Sequence, residues 1–282
     1  MSPYGSSTPA KLGHMAVHSS GKRSWPSPIA TVERNAADPH SGSAPRVSIV
    51  LPCLDEVDGV VTAVHEAAEG LRIAGLTGQV IVVDNGSNDG SAAAASAVGA
   101  IVLHEPRRGY GLAIRRGLQI AQGEVIVIAD ADHSYDLREL GALVCGIDAG
   151  ADIVVGTRVG DSLDAGAMPW FHRHLGTPAL NLLIAMATGR WFRDSQSGFR
   201  AFRRDRLVHL GCAADGMEFA SEMLVMAQRA GLRIDEIPVH YRRRVGVSKL
   251  RPFHDGLRHC RLLIRLGRRD HVTRSTRYRS SS

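Results

Sequence analysis

Residues 124–132 read E-V-I-V-I-A-D-A-D, an apolar run that ends in two aspartates separated by one residue. Consecutive Val and Ile residues of this kind are typical of a parallel strand that helices cover on both faces. Similar runs occur at Val47–Pro52, Gln79–Val83, Ile101–Leu103 and Asp152–Val155. Because helical patterns separate these runs, the sequence predicts an α/β fold with a doubly wound, mostly parallel sheet.

The helical patterns space apolar residues three and four positions apart. In the first half they fall at Val57–Ala74, Ala92–Val98, Gly111–Ala121 and Leu137–Ala149. Beyond Arg158 the order of elements changes, and we predict helices at Pro169–Thr188, Met217–Ala230 and Phe253–Leu266 and strands at Ser197–Phe202 and Arg233–Tyr241. The chain therefore reads as one α/β core extended by a second, less regular half.

The composition is that of an ordinary globular protein. Of 282 residues, 44% are hydrophobic and 22% are charged, which excludes a fibrous or wholly disordered chain. No apolar run approaches the roughly 18 residues of a membrane-spanning helix. The four cysteines lie far apart, so reduced cytosolic thiols are expected rather than disulfides or a zinc site. Residues 1–44, rich in Ser, Pro, Gly and His, are predicted to form a disordered leader.

The net charge of +6 is unevenly distributed, because residues 241–282 carry 13 Lys and Arg against two Asp. Such a basic end is expected to meet phosphate in a ligand, in lipid headgroups or in nucleic acid. Within it we predict a basic amphipathic helix at 253–268 and a disordered basic tail at 269–282. Apolar and Arg positions interleave from Leu257 to Leu266. This pattern fits a helix lying in a membrane interface or one docked on the protein's own core.

Carboxylates follow two of the predicted strands directly. Asp130 and Asp132 stand where a strand leaves the sheet, and their oxygens are ligands that suit Mg²⁺ or Mn²⁺ beside substrate phosphates. The alternative is a polar turn that caps the following helix. Asp84 ends an earlier strand, and its carboxylate could accept the N3–H of uracil or the N1–H of guanine. Ligands of doubly wound sheets bind at these strand ends.

Together these strand-end features resemble a known family. The motifs that carry the resemblance are L-P-C-L-D-E, V-V-D-N-G-S-N-D-G-S, R-R-G-Y-G-L-A-I-R-R-G, A-D-A-D, V-G-T-R, D-S-Q-S-G-F-R-A-F, E-F-A-S-E-M and R-R-V-G-V-S-K-L. In this order they are similar to the inverting family 2 glycosyltransferases of GT-A fold, and most of all to the polyprenyl (dolichyl) phosphate mannose or glucose synthases. The resemblance implies a Rossmann-like nucleotide-binding half and an acceptor-side half within residues 45–252.

The resemblance also implies site residues. The nucleotide-sugar positions are Pro52, Leu54, Glu56, Val82, Asp84, Asp130, Ala131, Asp132, Arg158, Arg243 and Lys249. The metal positions are Asp130, Asp132 and Ser134, and the acceptor-side positions are Arg200 and Glu222. Two positions depart from the family pattern: Leu54 replaces the usual tyrosine, and Ser134 replaces a glutamine that supplies a third metal ligand.

The reaction implied is inverting transfer of a hexose from a GDP-mannose or UDP-glucose type donor to a polyprenyl phosphate, assisted by Mg²⁺ or Mn²⁺. The protein would be peripheral on the cytosolic face of a membrane. We expect Asp132, Arg243 and Lys249 to act on the departing diphosphate. A lipid phosphate is already anionic and needs no base, whereas an alcohol acceptor would require one, with Asp194 or Glu222 as the candidates.

Other functions fit the sequence less well. A transferase of the same fold acting on a soluble acceptor is the nearer alternative. Gly109–Ile114 approximates a dinucleotide fingerprint, but Ile114 stands where a small residue is needed, so an NAD(P)-binding oxidoreductase is the remote one. Nucleic-acid binding is supported only by the basic end. Aromatic residues, on which bases would stack, make up only 5% of the chain, and none is interleaved as a stacking platform with the basic residues. The oligomeric state, the base and the sugar stay open.

Overall fold

The computed structural model describes residues 44–159, 163–164, 166–167, 175–246 and 255–266. Its strands are β1 (Val47–Cys53), β2 (Gly78–Asp84), β3 (Ile101–His104), β4 (Val125–Ile128), β5 (Ile153–Thr157), β6 (Arg200–Arg203) and β7 (Ile234–Pro238). Its helices are α1 (Val57–Ile73), α2 (Ser91–Ala97), α3 (Tyr110–Leu118), α4 (Leu140–Asp148), α5 (Thr177–Thr188), α6 (Arg204–His209), α7 (Phe219–Arg229) and α8 (255–266). A 3₁₀ turn at Leu137–Glu139 leads into α4.

The seven strands form one sheet in the order β3-β2-β1-β4-β6-β5-β7. The first four strands are mutually parallel, and β5 is parallel to β7. Only β6 runs against its neighbours β4 and β5. The predicted α/β fold with a doubly wound, mostly parallel sheet is confirmed.

Alternate strand residues supply two hydrophobic cores, one on each face of the sheet. In β1, Ile49 and Leu51 belong to the core that contains the apolar face of α1, whereas Val50 faces the core beneath α3 and α7. All three residues are fully buried. This two-sided burial is the physical reason for the continuous Val and Ile runs in the sequence.

Three elements differ from the sequence prediction. The expected strand at Ser197–Phe202 starts only at Arg200, because Ser197 and Gly198 hydrogen-bond to the Tyr135 hydroxyl instead of a neighbouring strand. The expected strand at Arg233–Tyr241 is shortened to β7, and the short helix α6 was not predicted. Residues 169–174, the first part of the predicted helix at Pro169–Thr188, lie outside the described residues.

The site follows from the strand order. The chain moves outward from β1 to β2 and β3 and then returns to place β4 on the other side of β1. Such a reversal opens a crevice at the carboxyl ends of the two central strands. Residues 54–56, after β1, and residues 129–132, after β4, meet at this crevice.

Candidate active site

The ends of β1 and β4 turn sharply at the crevice. Asp55 and His133 have φ values of 49° and 61°, and they are the two non-glycine residues with left-handed φ in the described part of the chain. Such backbone strain is concentrated at functional sites. Helix α1 begins directly beneath, and Gly59 packs so closely that an added Cβ would lie 2.9 Å from the Ala131 carbonyl oxygen. The turn at residues 129–134, the acidic turn, is therefore held against the start of α1.

Asp130 and Asp132 share this turn but have different surroundings. Asp132 is buried, and its Oδ1 accepts the N–H of Ser134 at 3.0 Å. The Asp130 carboxylate lies against Gly198, where an added Cβ would be 2.6 Å from Oδ2. Burial and the charge of Asp132 raise the pKa of Asp130 to about 7, although nearby arginines act in the opposite direction. Two like charges are thus crowded together, an arrangement that a cation would relieve.

A cationic side chain already contacts the acidic turn. Arg244 Nη2 lies 3.1 Å from Asp132 Oδ2 and 3.1 Å from Glu56 Oε1. The Val245 N–H donates to the Asp132 carbonyl at 3.0 Å, so the backbone beside Arg244 is fixed as well. The sequence prediction missed Arg244, because it assigned the phosphate-binding role to its neighbour Arg243.

Arg243 itself makes no bond to this turn. It is exposed and makes no hydrogen bond or ion pair with any residue that the structure describes. Lys249, the other predicted phosphate-binding residue of this segment, lies outside the described residues. The phosphate-binding roles of both residues remain predictions.

Arg242 anchors the segment 241–246 to α1. Its N–H donates to the Ser134 carbonyl at 2.7 Å, and its Nη1 donates to Glu66 Oε1 at 2.8 Å. The guanidinium also pairs with Asp136, and His133 Nε2 lies 2.8 Å from Nη1. Residues 241–246 are therefore attached to the acidic turn at several points.

Arg158 and Asp194 form a buried ion pair near the crevice. Arg158 Nε and Nη2 donate to the two carboxylate oxygens of Asp194 at 2.7 and 2.8 Å, and the backbone N–H of Arg158 adds a third bond. Burial alone raises the pKa of Asp194, but the charge and hydrogen bonds of Arg158 outweigh it and hold the pKa below its usual value. Asp194 is therefore poorly suited to the general-base role that the sequence allowed, and it holds Arg158 in place.

The two predicted acceptor-side residues are buried and bonded to backbone. Arg200 is 1% exposed and donates to the carbonyls of Ser197, Ala220 and Ser195, each at 2.8 Å. Glu222 is 7% exposed, and its Oε2 accepts the N–H groups of Ala213 and Ala214 at 2.9 and 2.7 Å. Both side chains fix loops beneath the site, and their acceptor-side roles stay predictions.

Asp84 lies at the end of β2, opposite Cys53 of β1. Its Oδ1 accepts the N–H of Ser87 at 3.0 Å, and its Oδ2 is 2.9 Å from His104 Nδ1. Burial raises the pKa of Asp84, but these two bonds outweigh it and lower the pKa below its usual value. His104, which ends β3, is a neighbour that the sequence prediction missed. The carboxylate is thus ionised and oriented in the crevice.

The other predicted nucleotide positions are less accessible. Pro52 and Leu54 are half-buried, and Glu56 is 9% exposed beside Arg244. Val82 and Ala131 have their side chains in the hydrophobic core, and their positions beside the nucleotide stay a prediction. The missed Asn85 organises the loop before α3 by donating to the carbonyls of Glu105 and Arg107 and accepting the N–H of Gly109.

A divalent cation fits the acidic turn only with help from a ligand. Within the described ranges, no group of three or more His, Cys, Asp or Glu side chains is arranged to hold a metal ion. Ser134, the predicted third ligand, is completely buried. Mg²⁺ and Mn²⁺ commonly bind through one or two carboxylates, water and substrate phosphates. The pair Asp130 and Asp132 matches that mode of binding.

Comparison with known proteins identifies the family. Residues 48–211, more than half of the chain, match the family described as Glycosyl transferase family 2. The chain belongs to glycosyl transferase family 2. It is therefore a glycosyltransferase enzyme, and the resemblance read from its motifs is confirmed at the level of the family.

Two curated relatives of this family 2 transferase come from Haloferax volcanii. The low-salt glycan biosynthesis hexosyltransferase Agl6 is 36% identical over 225 residues, covering 79% of this chain and 54% of the relative. The chain thus spans about half the length of that protein. A dolichyl-phosphate hexose transferase is 32% identical over 185 residues, covering 66% of this chain and 79% of the relative.

Solved structures support the fold. The glucosyl-3-phosphoglycerate synthase of Mycobacterium tuberculosis in complex with UDP superposes with a TM-score of 0.61 at 22% identity, covering 85% of this chain and 84% of that one. The same enzyme has also been solved with Mn²⁺, UDP and glucosyl-3-phosphoglycerate. At this identity the likeness shows a shared GT-A fold. In the described part of this chain, no helix has the length and apolar character needed to cross a membrane.

Proposed function

We propose that this transferase moves a hexose from a nucleoside diphosphate sugar to a polyprenyl phosphate, with the help of Mg²⁺ or Mn²⁺. One observation supports the proposed donor: the carboxylates of Asp130 and Asp132 are crowded together at the crevice, with Arg158 and Arg244 nearby. This mixture of carboxylates and guanidinium groups suits a bound cation and a diphosphate together.

When bound, the divalent cation would supply positive charge for the departing diphosphate. Asp130 and Asp132 are the residues that would hold it. Arg158, kept in position by Asp194, would add a fixed positive charge beside the phosphates. Asp84 would orient the base through its free lone pairs, because Ser87 and His104 already fix the plane of its carboxylate. Preorganised charges of this kind lower the barrier without reorganisation during the reaction.

The proposal that the acceptor is a polyprenyl phosphate rests on the hydrogen bonds of the two candidate bases, Asp194 and Glu222. Asp194 is bound by Arg158, and Glu222 is bound by two backbone N–H groups. Neither carboxylate is placed to take a proton from an alcohol. An acceptor that arrives already ionised, such as a lipid phosphate, needs no such base. The dolichyl-phosphate hexose transferase among the relatives supports the same acceptor class.

A cavity of about 360 Å³ lies between α8 and the loop before α7, and it can take a phosphate-bearing group. It is lined by Ala213, Ala214, Asp215, Glu218, Glu222, Arg258, Arg261, Leu262, Arg265 and Leu266. Each of its three acids has a partner: Asp215 pairs with Arg115, Glu218 with Arg258, and Glu222 with backbone.

The exposed Arg261 and Arg265 have no ion pair within the described residues, so they leave this cavity with an excess of positive charge. The loop that lines the cavity also packs on the first turn of α3, because an added Cβ on Gly111 would lie 2.2 Å from the Ala214 carbonyl oxygen. Tyr110 of that turn has its pKa raised by burial and by the charge of Asp130. The cavity therefore adjoins the acidic turn through α3.

Helix α8 packs its apolar face on the protein's own core, which is one of the two arrangements that its sequence predicts. Leu262, Leu263 and Leu266 are buried there. Its outer face keeps Leu257 and Ile264 exposed, at 49% and 58%, beside Arg261. Exposed apolar and basic groups on one face favour contact with anionic lipid. We include peripheral membrane contact in the proposed function for this reason.

The test is a matrix of donors and acceptors. UDP-glucose and GDP-mannose are each incubated with polyprenyl phosphate or with 3-phosphoglycerate, in Mn²⁺ or in EDTA, and release of nucleoside diphosphate is measured. We expect release only with polyprenyl phosphate and Mn²⁺. Release with 3-phosphoglycerate alone would assign a soluble acceptor instead, and equal rates in EDTA would contradict the metal requirement.

A pair of variants completes this test. D132N should lower kcat at least 100-fold, because it removes one charge of the pair that faces the diphosphate. D205N is the matched control, since Asp205 is an exposed acid on α6, away from the crevice. Its activity should equal that of the wild type. Full activity in D132N would refute the role of the acidic turn.

A further inference from the structure

The segment 241–246 lies along the acidic turn in a defined register. Tyr241 forms an antiparallel bridge with Tyr135. Next along the segment, the Arg242 N–H donates to the Ser134 carbonyl at 2.7 Å, and the Val245 N–H donates to the Asp132 carbonyl at 3.0 Å. Because three points fix the register, the side of the segment that faces the turn is fixed as well.

The register decides which of three consecutive arginines enters the site. Alternate residues of an extended segment point to opposite sides. Arg242 reaches Glu66 and Arg244 reaches Asp132, whereas Arg243 between them is exposed. The residue that contacts the acidic turn is therefore Arg244, although Arg243 is the one that matches the family motif.

Arg244 uses atoms that a bound cation would need. Its Nη2 lies 3.1 Å from Asp132 Oδ2, on the carboxylate whose other oxygen already accepts the Ser134 N–H. The same Nη2 lies 3.1 Å from Glu56 Oε1. A guanidinium and a divalent cation repel each other at such a distance. Binding both to Asp132 Oδ2 at the same time would therefore cost electrostatic free energy.

We propose that Arg244 is the internal counter-cation of the donor site. In the donor-free protein it neutralises Asp132 and Glu56 and competes with Mg²⁺ or Mn²⁺. When cation and nucleoside diphosphate bind together, its guanidinium transfers from the carboxylates to the added phosphate charge. Metal alone is thereby bound weakly, and metal with donor is bound tightly. This inference rests on the proposed function and adds a residue that makes metal binding dependent on the donor.

The experiment measures binding by calorimetry in two titrations. In the first, Mn²⁺ is added to metal-free protein without nucleotide. R244Q should bind Mn²⁺ about tenfold more tightly than the wild type, because the competing charge is gone. In the second, UDP or GDP is added at saturating Mn²⁺. Here R244Q should bind the nucleotide about tenfold more weakly, because it lacks the guanidinium that receives the phosphates.

The opposite signs of the two effects distinguish this role from a structural one, since a damaged site would weaken both. R243Q is the matched control: it removes the same charge from the adjacent exposed position, and its Mn²⁺ affinity without nucleotide should stay within twofold of the wild type. R244K keeps the charge and should also stay close to the wild type in the first titration. Thermal melting confirms that each variant is folded.

Unchanged or weaker Mn²⁺ binding by folded R244Q in the first titration overturns the inference and leaves the proposed function standing. If the wild type binds neither UDP nor GDP at any Mn²⁺ concentration, the proposed donor site itself is wrong. The two failures are therefore distinguishable in the same set of titrations.

Discussion

The raised pKa of Asp130 predicts that the acidic turn destabilises the metal-free protein. Burial and the charge of Asp132 raise this pKa from an ordinary 3.8 to about 7. Above pH 7 the native state must hold an ionised carboxylate that the unfolded chain holds without penalty. The gap between the two pKa values corresponds to about 4 kcal/mol of unfolding free energy. D130N removes the charge and should raise stability at pH 8 by up to that amount.

The free energy of unfolding of the wild type depends on pH through the Asp130 carboxyl. Between pH 3.8 and about 7 the native carboxyl binds more protons than the unfolded one, so the stability of the wild type falls as the pH rises through this window. At pH 5.5 the cost of the native environment is only about 2 kcal/mol. The advantage of D130N over the wild type should therefore be about twice as large at pH 8 as at pH 5.5.

The assay is urea unfolding, followed by circular dichroism, in EDTA at both pH values. D205N is the control, because exposed charges at the start of a helix contribute about 1 kcal/mol or less. With Mn²⁺ in place of EDTA the wild type should gain more stability than D130N, since only the wild type keeps both carboxylates. If D130N is no more stable than the wild type at pH 8 in EDTA, or if its advantage does not shrink at pH 5.5, the account of the acidic turn is refuted.

Three further predictions concern the residues around this turn. D194N leaves the buried guanidinium of Arg158 without its charge partner and should lower the free energy of unfolding by about 3 kcal/mol, measured in urea; an unchanged midpoint would contradict the ion pair. G198A places a methyl group against the first aspartate of the pair and should weaken Mn²⁺ binding in the presence of UDP or GDP at least tenfold, measured by calorimetry, while wild-type affinity would show that the turn can move aside. H104A removes one of the two bonds that orient Asp84 and should weaken nucleoside diphosphate binding about fivefold, in line with a lost hydrogen bond of about 1 kcal/mol; equal affinity would remove His104 from the site.

The fold was predictable because its signals are local. Runs such as Val47–Pro52 carry their own periodicity, and nearly all of β1–β5 and α1–α4 lie within a few residues of their predicted places. The acidic turn was predictable as well, because residues that directly follow a parallel strand must lie at the carboxyl edge of the sheet. Asp84, Asp130 and Asp132 are where their position after a strand requires.

The roles of other site residues were not predictable in the same way. Arg158 and Asp194 are 36 positions apart in the chain, and no spacing rule connects them. Arg200 and Glu222 look like ligands for a substrate, yet their partners are backbone groups of loops that only the packed protein brings near. These buried charged groups bind partners inside the protein, because leaving a charge unpaired away from water is costly.

The sequence by itself determined the α/β class, the strand edge that holds the site and the carboxylates placed there, since each depends on the order of residues over a few positions. Only the tertiary structure decided which carboxylate is paired with which guanidinium, and that Arg244 rather than Arg243 faces Asp132. Both depend on the register between distant segments, where a slip of one residue exchanges the inner and outer side chains.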